Sequence, residues 1–377
     1  MSKVCLLPCE SYDENLVYEA VKAGFEMLGG IDNFAKKEDK VLLKPNLLSG
    51  ATPDKAVTTH PSVFGAVARV LREAGIDNLS YGDSSGVGSP STEKVVISTG
   101  LEAEAKKYNI QHKLFDKSVN LPNPNGKIAK NFTLCKDVLD ADVLISISKM
   151  KTHALENLTG ALKNQYGTVY GNQKGLCHAK YPTAKKFADM IADLNKVVNP
   201  KLFIMDGIVA MEGNGPGSGD PVNMNVILMS TDPVALDTVF SELVYVDPDY
   251  IPTTVSAYDA GLGTMILTEI EVSTPDGIIT VEEARKKYGN PNFNVNRKKT
   301  HFWDLPSTLS SLKKQGEKPV VDLSKCIACG ICEEACPVEG KAVHSGNGNK
   351  AKYDYSKCIR CYCCQEMCPA HAIKKKW

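Results

Sequence analysis

Two cysteine runs near the C-terminus constrain this chain more than any other feature. The first reads Cys326-x2-Cys329-x2-Cys332-x3-Cys336-Pro337, the second Cys358-x2-Cys361-x2-Cys364-x3-Cys368-Pro369. This is the run that holds a pair of 4Fe–4S clusters, with the fourth cysteine of each run reaching across to the other cluster. A cubane offers four iron corners, and soft thiolates satisfy them. Three cysteines at i, i+3 and i+6 let one tight loop wrap three corners, and the following proline turns the chain so that the fourth sulfur points at the second cube. One cluster is therefore expected on Cys326, Cys329, Cys332 and Cys368, the other on Cys358, Cys361, Cys364 and Cys336. Cys363 is left over, for packing or for tuning its neighbours. Clusters of this type are redox-active, so electron transfer is the expected role, although they also staple a small fold.

The rest of the composition sets the frame. A chain of 377 residues exceeds one ordinary core, so two or three domains are expected. With 43% apolar and 23% charged residues it reads as globular, and a formal net charge of zero argues against a nucleic-acid partner. No apolar stretch approaches the roughly 20 residues of a membrane span, and the N-terminus lacks the apolar core of a signal peptide. Cys5, Cys9, Cys135, Cys177 and Cys363 form no disulfide framework, which points to a reducing cytoplasm.

Over the first 290 residues, short apolar strands alternate with amphipathic helices, the pattern of an α/β domain with a largely parallel sheet and flanking helices. Strands are read at Val4 to Leu7, Lys40 to Lys44, Leu79 to Gly82, Val143 to Ile147, Leu202 to Met205 and Val226 to Met229. Helices are read from Asn15 to Leu28, after Thr59-His60-Pro61, and after Thr231-Asp232-Pro233. Residues 291–317 read as a linker that packs partly on the main domain through Phe302 and Trp303. Residues 318–377 form a small α+β domain of the two-cluster ferredoxin kind.

Ligands of open α/β sheets bind beyond the carboxyl ends of the strands. Lys44-Pro45-Asn46, Asp83-Ser84-Ser85-Gly86, Lys149-Met150-Lys151-Thr152-His153 and Asp206-Gly207 are all expected in such turns, which together imply one crevice. Lys163 and Asn164 follow nearby. The loop holding Gly213, Gly215 and Gly217 has backbone free to approach an anion, or is only a flexible connection. Lys44, Lys149, Lys151 and Lys163 favour a phosphate or carboxylate guest, with Asn46, Asp83, Thr152 and Asn164 as further contacts. His153 and His178 are the candidate proton-transfer groups, since imidazole titrates near neutrality.

Lys44-Pro45-Asn46-Leu47-Leu48, Thr59-His60-Pro61, Gly82-Asp83-Ser84-Ser85-Gly86, Lys149 to His153, Gly160-Ala161-Leu162-Lys163-Asn164, Asp206-Gly207 and Thr231 to Asp237 occur in an order that resembles the prokaryotic family catalogued as domain of unknown function 362. The resemblance covers roughly residues 3 to 245. It implies a cytoplasmic iron–sulfur protein, frequent in anaerobes, and a distant likeness in fold to the nickel-pincer lactate racemases, whose ligands do not map residue by residue onto this sequence.

From Lys318 onward ten Lys and Arg stand against six Asp and Glu. Two oxidised cubanes with their thiolates contribute about −2 apiece, so a loaded domain is near neutral. Lys374, Lys375 and Lys376 read either as part of that basic surface or as a solvated tail. The expectation is an oxidoreductase that exchanges electrons with a soluble low-potential donor or acceptor and acts on an anionic small molecule in the crevice. The alternative is a non-catalytic electron-transfer or assembly protein whose crevice binds a regulatory ligand or partner. A flavin would be a reasonable relay to two-electron chemistry, although the sequence holds no flavin fingerprint.

Overall fold

The computed structural model describes residues 1–86, 92–171, 173–298 and 318–376. In chain order the first strands are β1 (Ser2–Pro8), β2 (Val41–Pro45), β3 (Leu79–Tyr81), β4 (Gln111–His112), β5 (Ser118–Pro122) and β6 (Asn131–Cys135). They are followed by β7 (Val143–His153), β8 (Asn157–Thr159), β9 (Leu202–Glu212), β10 (Asp220–Ser230), β11 (Ile270–Thr274) and β12 (Gly277–Ile279). Ten of these form one mixed sheet in the order β12-β11-β1-β10-β9-β7-β2-β3-β4, with β8 paired to β7. Neighbours run parallel except where β10 meets β1 and β9, β12 meets β11, and β8 meets β7. The pair β5–β6 stands apart.

The sheet is covered on both faces, and its sequence shows why. Along β1, Cys5 and Leu7 enter one core while Val4 and Leu6 enter the other, and Ile227/Met229 against Val226/Leu228 repeat this on β10. Helices Glu14–Met27 and Pro61–Glu73 cover the first face. Asp13 caps the former, and His60 caps the latter, its Nδ1 accepting from the Ser62 N–H at 3.2 Å. Helix Pro233–Leu243 covers the second face, with Asp232 accepting from Val234 and Ala235 at 2.9 Å each; helix Ala184–Val198 packs beside it.

Two strands run further than their sequence pattern announces. The expected strand Val143 to Ile147 continues to His153, and Leu202 to Met205 continues to Glu212. The Lys149 to His153 motif and Asp206-Gly207 therefore lie within strands, not in turns beyond them. The extensions hold because β8 pairs with the end of β7, and β10 pairs with β9 along almost its whole length.

The small C-terminal domain pairs β13 (Lys318–Val321) with β16 (Ile373–Lys376), and β14 (Val343–Gly346) with β15 (Asn349–Tyr353). Lys374 to Lys376 are thus strand residues. Two one-turn helices, Ile331–Glu334 and Cys363–Glu366, carry cysteines. The expected linker lies outside the described residues from 299 to 317, Phe302 and Trp303 included. Its described beginning packs on the main domain: Phe293 is fully buried and the Asn294 N–H donates to Glu212 Oε2 at 2.7 Å.

Candidate functional site

The cysteine loops enclose two separate cavities. Cys326, Cys329, Cys332 and Cys368 line one, among Ile327, Ala328, Pro369 and Ala370. Cys336, Cys358, Cys361 and Cys364 line the other, among Pro319, Pro337, Val343 and Tyr362. Donors point at the sulfurs: Ala342 N–H at Cys336 (3.3 Å), Ala351 N–H at Cys326 (3.5 Å), Ala372 N–H at Cys368 (3.3 Å) and the Tyr353 hydroxyl at Cys364 (3.2 Å). Four sulfurs in an apolar shell with donors aimed at them suit a cubane, because such donors stabilise the charge that thiolates and cluster carry. Among the described residues no group of His, Cys, Asp or Glu forms a further site for a metal ion.

A third cavity lies between the domains. Asn46, Leu48, Asp83, Ser84, Lys163, Asn164, Tyr166, Lys174 and His178 of the α/β domain line it, and Cys363, Glu366 and Met367 of the small domain close it. Its volume is about 80 Å³, enough for a few waters or one small anion.

A buried polar network shapes the α/β wall. Lys44 Nζ lies 2.9 Å from Asp83 Oδ1 and donates to Asn164 Oδ1 at 3.3 Å, while Asp83 Oδ2 accepts from the Leu47 N–H at 2.7 Å. Asn164 donates to Ser146 Oγ, and Asn46 bridges Asn164 to the Lys151 ammonium, which is 2.9 Å from Asn46 Oδ1 and 2.8 Å from Val57 O. Burial lowers Lys44 against the opposing pull of Asp83. Burial, and then the Lys163 charge, bring Lys151 down to about 7. Folding therefore disfavours protonated Lys151, so its contribution to stability is full above the ordinary value of 10.5 and is lost as pH falls toward 7. Urea unfolding from pH 10 down to 7 should lose up to about 1.4 kcal/mol per pH unit from this group, and Lys151→Met should flatten that slope.

Lys163 and Lys174 bring the positive charge. Lys174 donates to the carbonyl oxygens of Ser84 and Val169 and to the Ser84 hydroxyl, all neutral acceptors. Among the described residues Lys163 makes no hydrogen bond or ion pair; its ammonium sits 5.7 Å from the Tyr166 ring centre. His178 is buried, stacked on Phe187 at 4.4 Å, with Nδ1 lacking a partner among the described residues. Burial lowers it to about 3, so the ring is neutral.

Several expected residues are placed elsewhere. Lys149 does not reach the cavity: its ammonium pairs with Asp206 at 2.8 Å and donates to the Tyr12 hydroxyl at 2.8 Å, wholly buried. Lys44 and Lys151 stand behind the wall and hold its side chains. His153 is also off the cavity. Its Nδ1 accepts from the Leu155 and Glu156 N–H groups (3.1 and 3.0 Å), which leaves the proton on Nε2, and Nε2 lies 2.9 Å from Glu366 Oε1. Burial lowers His153 to about 4. Burial alone would raise the Glu366 carboxyl, but His153 and then Lys163 outweigh it and hold the group below its usual range.

The glycine loop serves the domain junction. The Gly215 N–H donates to Thr152 Oγ1 at 3.2 Å, and Gln365 Nε2 donates to Asn214 O (2.8 Å) and Gly215 O (3.1 Å). A Cβ on Gly215 would stand 2.2 Å from Thr152 O, and one on Gly217 2.8 Å from Glu366 O. Gly215 thus admits a close backbone approach within the α/β domain and Gly217 one between domains, while Gly213 and Gly215 border a separate open cleft with Asn294 and Lys374. Gly215→Ala should loosen this seam. Losing hydrogen bonds worth about 1 kcal/mol each should speed amide exchange over residues 363–367 by about tenfold.

Lys174, Tyr166, Glu366 and Met367 belong to the site although their sequence context did not single them out. Lys174 precedes His178 by one helical turn, which was a usable signal. Glu366 and Met367 lie between two cluster-type cysteines, and only docking brings them to the cavity.

A small domain of cysteine-lined cavities, seated as one wall of a cavity on an α/β domain, defines an iron–sulfur protein with an electron-transfer module. Residues 318–369 match the 4Fe-4S dicluster domain. Residues 41–242, more than half of the chain, match the Domain of unknown function (DUF362), and the chain belongs to that family. A thylakoid-associated protein of Synechocystis is 34% identical over 273 residues, covering 70% of this chain and 80% of that protein. Among solved structures, the lactate racemase apoprotein from Thermoanaerobacterium thermosaccharolyticum aligns with a TM-score of 0.41 at 15% identity, over 65% of this chain and 57% of that one. A structural-genomics target from Thermotoga maritima aligns with a TM-score of 0.35 at 12% identity, over 58% of this chain and 55% of its own. Among the described residues no helix is long and apolar enough to cross a membrane.

Proposed function

We propose that this protein is an iron–sulfur oxidoreductase in which two 4Fe–4S clusters exchange low-potential electrons with an anionic substrate or cofactor held between the domains. One cluster is assigned to Cys326, Cys329, Cys332 and Cys368, the other to Cys336, Cys358, Cys361 and Cys364. The observation that carries the reading is the shared wall: Cys363, Glu366 and Met367, set among the ligand cysteines, close the same cavity that Lys163, Lys174 and His178 line. A guest there is within a few residues of both clusters, which shortens the electron's path.

Lys163 is the anion-binding cation, because among the described residues it makes no hydrogen bond or ion pair, and Lys174 adds its charge to the same lining. His178, neutral and open at Nδ1, is the proton-transfer group. His153 is a positioning residue that holds Glu366, and thereby the helix Cys363–Glu366, against the α/β domain. The cavity volume of about 80 Å³ favours a compact anion over a flavin ring, since organic cofactors occupy several hundred Å³. The free thiols fit a reducing cytoplasm.

Protein purified without oxygen should release a small anion on denaturation, identified by mass spectrometry, together with about eight irons. The released molecule should also reoxidise the reduced clusters. Binding without any reoxidation would favour the alternative, a non-catalytic electron-transfer or assembly protein with a regulatory ligand, to which the small cavity is equally suited.

A further inference from the structure

The two cysteine cavities differ in exposure. Cys329 is exposed, with Cys326 and Cys368 half-buried and Cys332 buried, whereas in the other cavity Cys336, Cys361 and Cys364 are buried and only Cys358 is half-buried. The cavity of Cys326, Cys329, Cys332 and Cys368 is therefore the one with the more exposed sulfurs. Ile327 lines that cavity while remaining 64% exposed. Four residues before it, Leu323 is 53% exposed. Two large apolar side chains held in water on a single loop are the kind of surface that a partner covers.

The rim of this loop is basic. Lys325 is exposed within it, and Lys350 donates to Leu323 O at 2.6 Å, which places that ammonium beside the apolar pair. Lys325 and Lys374 both act on Asp322, the one acid in residues 322–330, whose Oδ1 accepts from the Ser324 N–H and hydroxyl. An apolar centre ringed by lysines complements an acidic surface, and charge of this kind steers encounter.

We propose that residues 322–330, with Lys350 and Lys374, form the docking surface for a small acidic electron-carrier protein, which exchanges electrons with the cluster at Cys326, Cys329, Cys332 and Cys368. The proposal rests on the cluster assignment above. Electrons would move one at a time: the reduced carrier would be oxidised as it reduces the cluster that Cys326, Cys329, Cys332 and Cys368 would hold, and the second cysteine set would hold the next acceptor. A transient contact well below the size of a stable complex is sufficient.

The test is stopped-flow reduction of the cluster-loaded full chain by a reduced acidic two-cluster ferredoxin, at low salt and at about 0.5 M salt, where steering is screened. Lys325→Glu combined with Lys350→Glu should slow the second-order reaction about tenfold at low salt, and the difference should shrink at high salt. Ile327→Ser should slow it at both salt levels. Lys350→Gln keeps a polar group beside Leu323 O and should show a smaller, salt-dependent loss, which guards against a loop that has simply lost its shape. Iron content and photoreduction by a deazaflavin, which needs no docking surface, should match the unaltered protein in the lysine variants, and the Ile327→Ser rate is compared per loaded cluster because that side chain lines the cysteine cavity. The control pair Lys357→Glu and Arg360→Glu lies beside Cys358, at the other cavity, and should leave the rate unchanged. Unaltered rates in the first set, or an equal loss in the control pair, would overturn the proposal. Normal reduction by ferredoxin with no reoxidation by any crevice ligand would instead count against the oxidoreductase reading and leave the docking surface standing.

Discussion

Removing the Cys364 sulfur is expected to cost about half of the iron or more, while removing the neighbouring Cys363 sulfur leaves about eight irons per chain. The two side chains are adjacent in sequence but face different spaces. Cys364 lines the cavity with Cys336, Cys358 and Cys361, and receives the Tyr353 hydroxyl. Cys363 lines the interdomain cavity with His178 and Glu366. Iron and sulfide per chain in anaerobically prepared Cys364→Ala and Cys363→Ala give the answer directly. Loss of half of the iron from Cys363→Ala would sink the ligand assignment.

The second large effect is expected at Lys163. A hydrogen bond to a charged group contributes about 1.5–3 kcal/mol, so Lys163→Ala should weaken anion binding about 10- to 100-fold. Titration calorimetry with inorganic phosphate, and with the anion recovered from the native protein, measures this. Stability should change little, because among the described residues that ammonium makes no hydrogen bond or ion pair. Lys149→Ala makes the contrast. It strands the Asp206 carboxylate, fully buried beside the Tyr12 hydroxyl, and breaking such a pair costs about 3–5 kcal/mol. Lys149→Ala should therefore lower the unfolding midpoint sharply, an effect on stability and not on the anion. Lys163→Arg should restore much of the affinity. Equal binding by wild type and Lys163→Ala would remove the anion site from this cavity.

The sequence by itself determined the small domain's chemistry and the large domain's class. Ligand spacing is a local property, since three sulfurs at i, i+3 and i+6 can only wrap one centre in a tight loop. The alternation of β1 and β10 between two cores is equally local, as are the caps at Asp13, His60 and Asp232, because each depends on residues within one element. The motif lysines were visible too, but not their destinies. Lys44, Lys149, Lys151 and Lys163 look alike in sequence. Whether each becomes a buried ion-pair partner, a support or a free cation depends on which acid or amide a distant segment presents: Asp83 to Lys44, Asp206 to Lys149, Asn46 to Lys151 and, among the described residues, none to Lys163. The glycine loop likewise reads as an anion cradle or a flexible connection, whereas in the fold Gln365, 150 residues further on, bonds to Gly215. The cavity itself is wholly tertiary. Its lid comes from the cysteine domain and its cations from the α/β domain, and no local pattern records which surfaces of two domains bury one another.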